Sequence, residues 1–192
     1  MSYFAHPSAI IDPGASIGAD TQIWHFCHVS EKSHIGARCV LGQNVFIAPE
    51  VRLGDGVKVQ NNVSIYTGVV CEDGVFLGPS MVFTNVVNPR SFVSRKQEFK
   101  ATLVQKGASI GANATIICGI TLGSFCLVGA GSVVTKDVPA YALVTGVPAR
   151  QIGWVSRLGH RLTLDEKNHA TCPESGEKYQ MNGHELSPQN PD

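Results

Sequence analysis

The feature that most constrains this chain is a register of six. From Ile11 onward a large apolar side chain returns at every sixth position: Ile11, Ile17, Ile23, Val29, Ile35, Leu41, Ile47, Leu53, Val59 and Ile65, then Cys71, Leu77 and Phe83. A smaller or branched apolar residue stands four positions after most of them, as at Cys27, Cys39, Val45, Val57, Val63 and Val75. The register is lost after Phe83 and resumes at Val104, Ile110, Ile116, Leu122, Val128 and Val134. A helix repeats near 3.6 residues and a plain strand at 2, so a helix bundle and an ordinary sandwich both fail this pattern. Six residues suffice for one short strand and a turn, and three such units close a coil. The expected fold is all-β: a left-handed parallel β-helix, a three-sided prism of about six coils and about 30 Å tall at about 4.8 Å per coil. Residues 1–150 would form the prism, with a loop excursion at about 84–103. Residues 151–192 would be a partly helical or irregular C-terminal extension ending in a loose tail, HELSPQNPD. The glycines that follow inward residues, such as Gly18, Gly36, Gly42, Gly54, Gly78, Gly111, Gly123 and Gly129, are expected at corners that need unusual φ.

Composition narrows the function classes. Lys plus Arg and Asp plus Glu number 15 each, leaving no net basic field for a nucleic acid backbone or an anionic membrane. No apolar run approaches the roughly 20 residues of a bilayer span, and the opening MSYFAHPSAIIDPG lacks a signal-like pattern, so a cytosolic protein is expected. Six Cys without a C-x-x-C pair read as reduced thiols, not as a disulfide framework or a zinc knuckle.

Residues 18 apart stack on one face, so solvent-facing positions can be read as columns. His25, Gln43, Asn61 and Pro79 form one column, and Phe26, Asn44, Asn62 and Ser80 the next. The amides Gln43, Asn44, Asn61 and Asn62 fit a ladder that stabilises turns, or a ladder that also lines a substrate cleft just below the loop. The loop carries Arg90, Arg95, Lys96 and Lys100 against Glu98. These cations suit a diphosphate or a sugar carboxylate, or they form a solvated charged arm. Further along, Gly111, Ala112 and Asn113 stack under Gly129, Ala130 and Gly131, followed by Val147, Pro148 and Ala149. A wall so nearly free of side chains admits a pantetheine arm or close packing of a second subunit.

The strings LGP, VGAGSVVTKDVP and TGVPAR within this repeat resemble the hexapeptide acyltransferases over about residues 5 to 153. WHFCHV, GQNVFI, QNNVSIY, GPSMVFTNVVNPRS and GVPARQIGW resemble a narrower group of nucleotide-sugar N-acetyltransferases. That group acts on UDP-2-acetamido-3-amino-2,3-dideoxy-glucuronic acid in bacterial surface-polysaccharide (O-antigen) synthesis. The resemblance implies acetyl-CoA as co-substrate, a UDP-linked amino sugar as acceptor, and coenzyme phosphates near Lys136 and Arg150. Maltose and galactoside acetyltransferases carry a His base in a P-G-V-x-x-x-x-x-x-H-P stretch; laying PSMVFTNVVNP over it puts Asn88 where the His would be. Asn takes no proton at neutral pH, which points to an amine acceptor already partly free, oriented by Asn85 and Asn88. His25 and His28, in the amide-rich wall, are an alternative base or have hydrogen-bonding and packing roles. A metal enzyme of this fold is disfavoured because His25, His28 and His34 lack partners 18 or 36 residues further on. A homotrimer with active sites between subunits is expected, since flat prism walls leave apolar surface. The rival readings are a dTDP-linked 3-amino-deoxyhexose as acceptor and a non-catalytic scaffold.

Overall fold

The computed structural model describes residues 2–189. Its strands are mostly two residues long and stack in parallel into three sheets, one per wall. The first wall runs Phe4–Ala5, Gln22–Ile23, Val40–Leu41, Lys58–Val59, Phe76–Leu77, Ser109–Ile110, Leu127–Val128 and Ala142–Gly146. The second runs from Ile10–Ile11 through His28–Val29, Phe46–Ile47, Ser64–Ile65, Val82–Phe83 and Thr115–Ile116 to Val133–Val134. The third runs from Ser16–Ile17 to Thr121–Leu122. The expected all-β stacked-coil architecture is therefore present. It begins one level earlier than the periodicity indicates, because Phe4–Ala5 already pairs with Gln22–Ile23.

Each inward side chain lies on its counterpart 18 residues away, Ile23 on Leu41 and Leu41 on Val59. Across the loop the step widens on every wall, as from Leu77 to Ile110, and at the C-terminal end it shortens, as from Val128 to Val144. The resulting column, with Ile23, Leu41, Val59, Leu77, Ile110 and Val128 all at 0% exposure, is one continuous core. Each such side chain contributes about 1.5–3 kcal/mol by leaving water. Polar residues in the interior are satisfied locally: Thr21 Oγ1 donates to the Gly36 carbonyl at 2.8 Å and accepts from the Cys39 N–H at 3.0 Å. All six cysteines are free and buried, and burial pushes the Cys71 and Cys126 thiols up to about 12, which keeps them protonated and inert.

Two expectations are corrected. The glycines after inward residues do not supply positive φ; that conformation falls two positions later, at Asp20, Phe26, Arg38, Asn44, Asn62, Ser80 and Asn113. Those glycines are needed because the coil above leaves no room: a Cβ on Gly111 would meet the Ala130 nitrogen at 2.5 Å, and one on Gly42 would meet Asn61 Oδ1 at 2.4 Å. The C-terminal extension contains no helix among the described residues; it is a set of strands joined by turns and irregular segments at 156–160, 163–168 and 172–177. Ala149–Val155 turns back antiparallel on Ala142–Gly146, and His169–Thr171, Lys178–Asn182 and Glu185–Pro188 form an antiparallel sheet. Among the described residues the one helical segment is a 3-10 turn, Lys96–Glu98, in the loop. Tyr179, Cys172 and Leu186 alternate inward to build a second small core against Tyr141 and Phe125, so the tail is strand up to Pro188. Residues 190–192 of the expected loose tail lie outside the described residues.

Candidate functional site

The corner between the first and second walls runs the length of the stack. From the N-terminal end its successive turns are His6–Pro7–Ser8, Trp24–His25–Phe26, Gly42–Gln43–Asn44, Gln60–Asn61–Asn62, Gly78–Pro79–Ser80, Gly111–Ala112–Asn113 and Gly129–Ala130–Gly131. The amide columns and the small-residue columns are thus two halves of one edge.

In the lower half the amides form a ladder. Asn61 Oδ1 accepts the Gln43 N–H at 2.9 Å, and Asn44 Nδ2 donates to Asn62 Oδ1 at 3.1 Å. Asn44 and Asn62 hold φ of 59° and 62°, a region that Asn tolerates better than most residues. In the upper half Gly131 N–H reaches the Ala112 carbonyl at 2.8 Å and Asn113 N–H the Pro79 carbonyl at 3.0 Å. The N–H groups of Ala112 and Ala130, however, have no partner among the described residues, since the residue above each is too small to supply an acceptor. Two open donors, about 4.8 Å apart along an edge without side chains, suit a ligand with spaced carbonyls.

At the C-terminal end of the stack a pocket of about 270 Å³ is lined by Thr135, Lys136, Asp137, Pro139, Arg150 and Gln151 with neighbouring apolar residues. It brings together Lys136 and Arg150, 14 positions apart in sequence, because the Ala149–Val155 strand folds back beside Val144. Asp137 is committed to the Thr121 N–H at 2.8 Å, and Lys136 has no ion-pair partner among the described residues. Pro148 sits exposed at the tip of this hairpin.

The loop leaves from a different corner. After Ser80 the chain crosses the second wall as Val82–Phe83 before Thr84 and Asn85, so the loop departs between the second and third walls. The amides therefore do not sit directly below it; one full wall separates them within a protomer. Thr84 Oγ1 accepts the Cys118 N–H at 2.9 Å and the Asn85 carbonyl accepts the Lys100 N–H at 3.0 Å, which pins the loop base. The Asn85 side chain is half-buried there, and Asn88 is exposed further out. Arg95 is held by a two-oxygen contact with Glu98 at 2.9 Å, whereas Arg90 and Lys96 have no ion-pair partner among the described residues. The loop tip presents Phe92 at 85% exposure and Val87 at 59%.

The two histidines part company. His25 lies on the amide corner and stacks on His6, ring centroids 3.5 Å apart. His28 lies on the second wall, not among the amides; its Nε2 is 3.1 Å from Asp12 Oδ2 and its ring leans on Phe46. Three coil steps, about 14 Å, separate His28 from the level of the loop base. Neither histidine shares a site with Asn85 within one protomer. Among the described residues no group of three His, Cys, Asp or Glu is placed to hold a metal, and no helix is long and apolar enough to cross a membrane. Sequence reasoning gave Trp24 and Gln60 no role of their own, whereas it expected exposed backbone groups along Ala112 and Ala130, from the lack of side chains there.

Comparison with known proteins agrees with this architecture. The bacterial transferase hexapeptide (six repeats) family matches residues 14–49, and the hexapeptide repeat of succinyl-transferase matches residues 34–67 and 106–136. The dTDP-3-amino-3,6-dideoxy-alpha-D-galactopyranose 3-N-acetyltransferase of Aneurinibacillus thermoaerophilus is 45% identical over 176 residues, covering 92% of this chain and 90% of that protein. A hexapeptide-repeat acetyltransferase of Vibrio cholerae O1 biovar eltor, solved with acetyl coenzyme A, is 28% identical at a TM-score of 0.57, covering 64% of this chain and 71% of that one. A maltose O-acetyltransferase from Clostridium difficile 630 shares the fold at 24% identity and a TM-score of 0.55, covering 64% of this chain and 69% of that one.

Proposed function

This chain belongs to the hexapeptide-repeat acyltransferases, and we propose that within them it transfers the acetyl group of acetyl-CoA to the 3-amino group of a nucleotide-linked sugar. The observation that carries this reading is the two-part corner, with open Ala112 and Ala130 N–H donors above and uncharged amides below. The pantetheine arm lies along Gly111, Ala112, Asn113, Gly129, Ala130 and Gly131, and Lys136 and Arg150 meet the phosphates. The acceptor lies toward the amides. The amine nitrogen bonds to the thioester carbon, the carbon–sulfur bond breaks, and the ammonium proton passes to the departing thiolate or to water. No histidine base is required, because a sugar amine is partly unprotonated near neutral pH.

Asn85 orients the amine from the loop base. Its distance from the amide corner in one protomer supports a homotrimer, with the site between the first corner of one subunit and the loop of the next. The exposed tip residues Phe92 and Val87 support the same arrangement. Buried reduced thiols and use of acetyl-CoA favour a cytosolic setting. Asn85→Ala lowers kcat by about 10- to 1000-fold, the scale of one lost transition-state hydrogen bond, while His25→Ala and His28→Ala cost far less. Turnover abolished in either His variant but retained by Asn85→Ala reverses these roles.

The acceptor we favour is UDP-2-acetamido-3-amino-2,3-dideoxy-glucuronic acid, whose carboxylate suits Arg90 or Lys96. The second reading, a dTDP-linked 3-amino-deoxyhexose, is favoured by the Aneurinibacillus relative. A thiol-release assay with acetyl-CoA and both acceptors decides between them. Faster turnover of the uronate, lost selectively in Arg90→Ala or Lys96→Ala, supports the first; preference for the dTDP sugar replaces it with the second. Release with neither acceptor returns the chain to a scaffold role.

A further inference from the structure

The N-terminal end of the same corner carries a feature that neither the ladder nor acetyl transfer explains. Trp24, Gly42 and Gln60 occupy one column, at three successive coils. Asn61 Oδ1 fills the space where a Cβ on Gly42 would stand, and the slot between Trp24 and Gln60 is a groove of about 320 Å³ that Gln43 and Asn61 also line. Aromatic rings build its floor. His6, one coil below, stacks on His25 with ring centroids 3.5 Å apart. The Trp24 indole lies within 6° of parallel to the His25 ring, its centroid 6.3 Å away. Phe4 props the indole edge-on, with ring centroids 5.6 Å apart. Two coil steps give about 10 Å between floor and ceiling. One planar ring needs about 3.5 Å on each side, so it fits.

We infer that this slot binds the pyrimidine base of the acceptor nucleotide, stacked on Trp24 and read by the amides of Gln60 and Gln43. This rests on the reading that the acceptor is a nucleotide sugar. The imide edge of uracil or thymine alternates acceptor, donor and acceptor, and a carboxamide offers both complements. The side-chain amides of Gln43 and Gln60 have no hydrogen-bond partner among the described residues. The slot opens onto the corner that leads to the small-residue half. Two coils, about 10 Å, lie between Gly42 and the Gly78 turn of that corner, which leaves space for ribose and diphosphate.

Calorimetric titration with UMP and dTMP, without turnover, tests the slot. Trp24→Ala should weaken both ligands about 5- to 150-fold, the range for one lost base–aromatic stack, and Trp24→Phe should recover most of the loss. Gln60→Ala, a surface change that keeps the fold, should weaken both less and leave acetyl-CoA binding unchanged; it decides the matter if Trp24→Ala is insoluble. Wild-type UMP affinity in Trp24→Ala and Gln60→Ala overturns the slot, as does a changed sedimentation coefficient in Trp24→Ala with UMP affinity intact, which assigns the indole to a subunit contact. UMP binding that depends on Trp24 in a protein that acetylates no nucleotide sugar keeps the slot and overturns the proposed reaction. Turnover combined with Trp24-independent UMP binding does the reverse.

Discussion

The two halves of the first corner have the same backbone path and opposite chemistry. Below Pro79, an amide oxygen from the coil above caps the Gln43 N–H, and the Asn44 amide bonds to that of Asn62. Above Pro79 the side chains shrink to Gly and Ala, and the Ala112 and Ala130 N–H groups stay open. The half richer in polar side chains is therefore partly consumed in holding itself together. The half that looks empty keeps its donors for something else. On the proposed reading, side-chain poverty is what suits this half to binding, since an unpaired N–H on an accessible edge can take a ligand carbonyl.

That contrast can be broken most severely at Ala130. Ala130→Phe should lower kcat/KM for acetyl-CoA by about 100-fold or more by filling the smooth half, with an unchanged melting temperature because the position is exposed. Retained coenzyme use in that variant would move the pantetheine elsewhere. Next in size, Lys136→Ala combined with Arg150→Ala should raise the KM for acetyl-CoA about 10-fold or more with little change for the acceptor. An acceptor KM that rises instead would place the sugar nucleotide at this end of the corner. The smallest effect compares the halves directly in urea melts. Asn62→Ala loses a ladder bond and strains a positive φ, a cost of about 1–2 kcal/mol, whereas Asn113→Ala, at φ 55° with no side-chain bond, should cost about half as much. Equal losses would mean that the ladder bond adds nothing to stability.

Much of the fold was legible because the inward residues obey a strict period. Ile23, Leu41, Val59 and Leu77 announce their own stacking, and the break after Phe83 announces the loop. The C-terminal sheet has no such period. Its readable sign was local: Tyr179 and Met181 alternate with polar neighbours ahead of Gly183, whose φ of 62° heads a two-residue hairpin turn. The corner glycines show the opposite failure. Their identity was plain, but the reason was distance to the next coil and not φ, and distance cannot be read along a chain.

The sequence alone determined the period, hence which side chains stack, which face inward and which columns form, because an 18-residue coil makes vertical neighbours a matter of counting. Only the tertiary structure decided on which corner each column and the loop emerge. It also decided that Lys136 and Arg150 share a pocket, that Arg95 is tied to Glu98, and that Trp24 and Gln60 line one groove. Those outcomes depend on how far the chain travels across a wall, on hairpin return and on side-chain orientation. Each is set by packing between segments that the repeat does not relate.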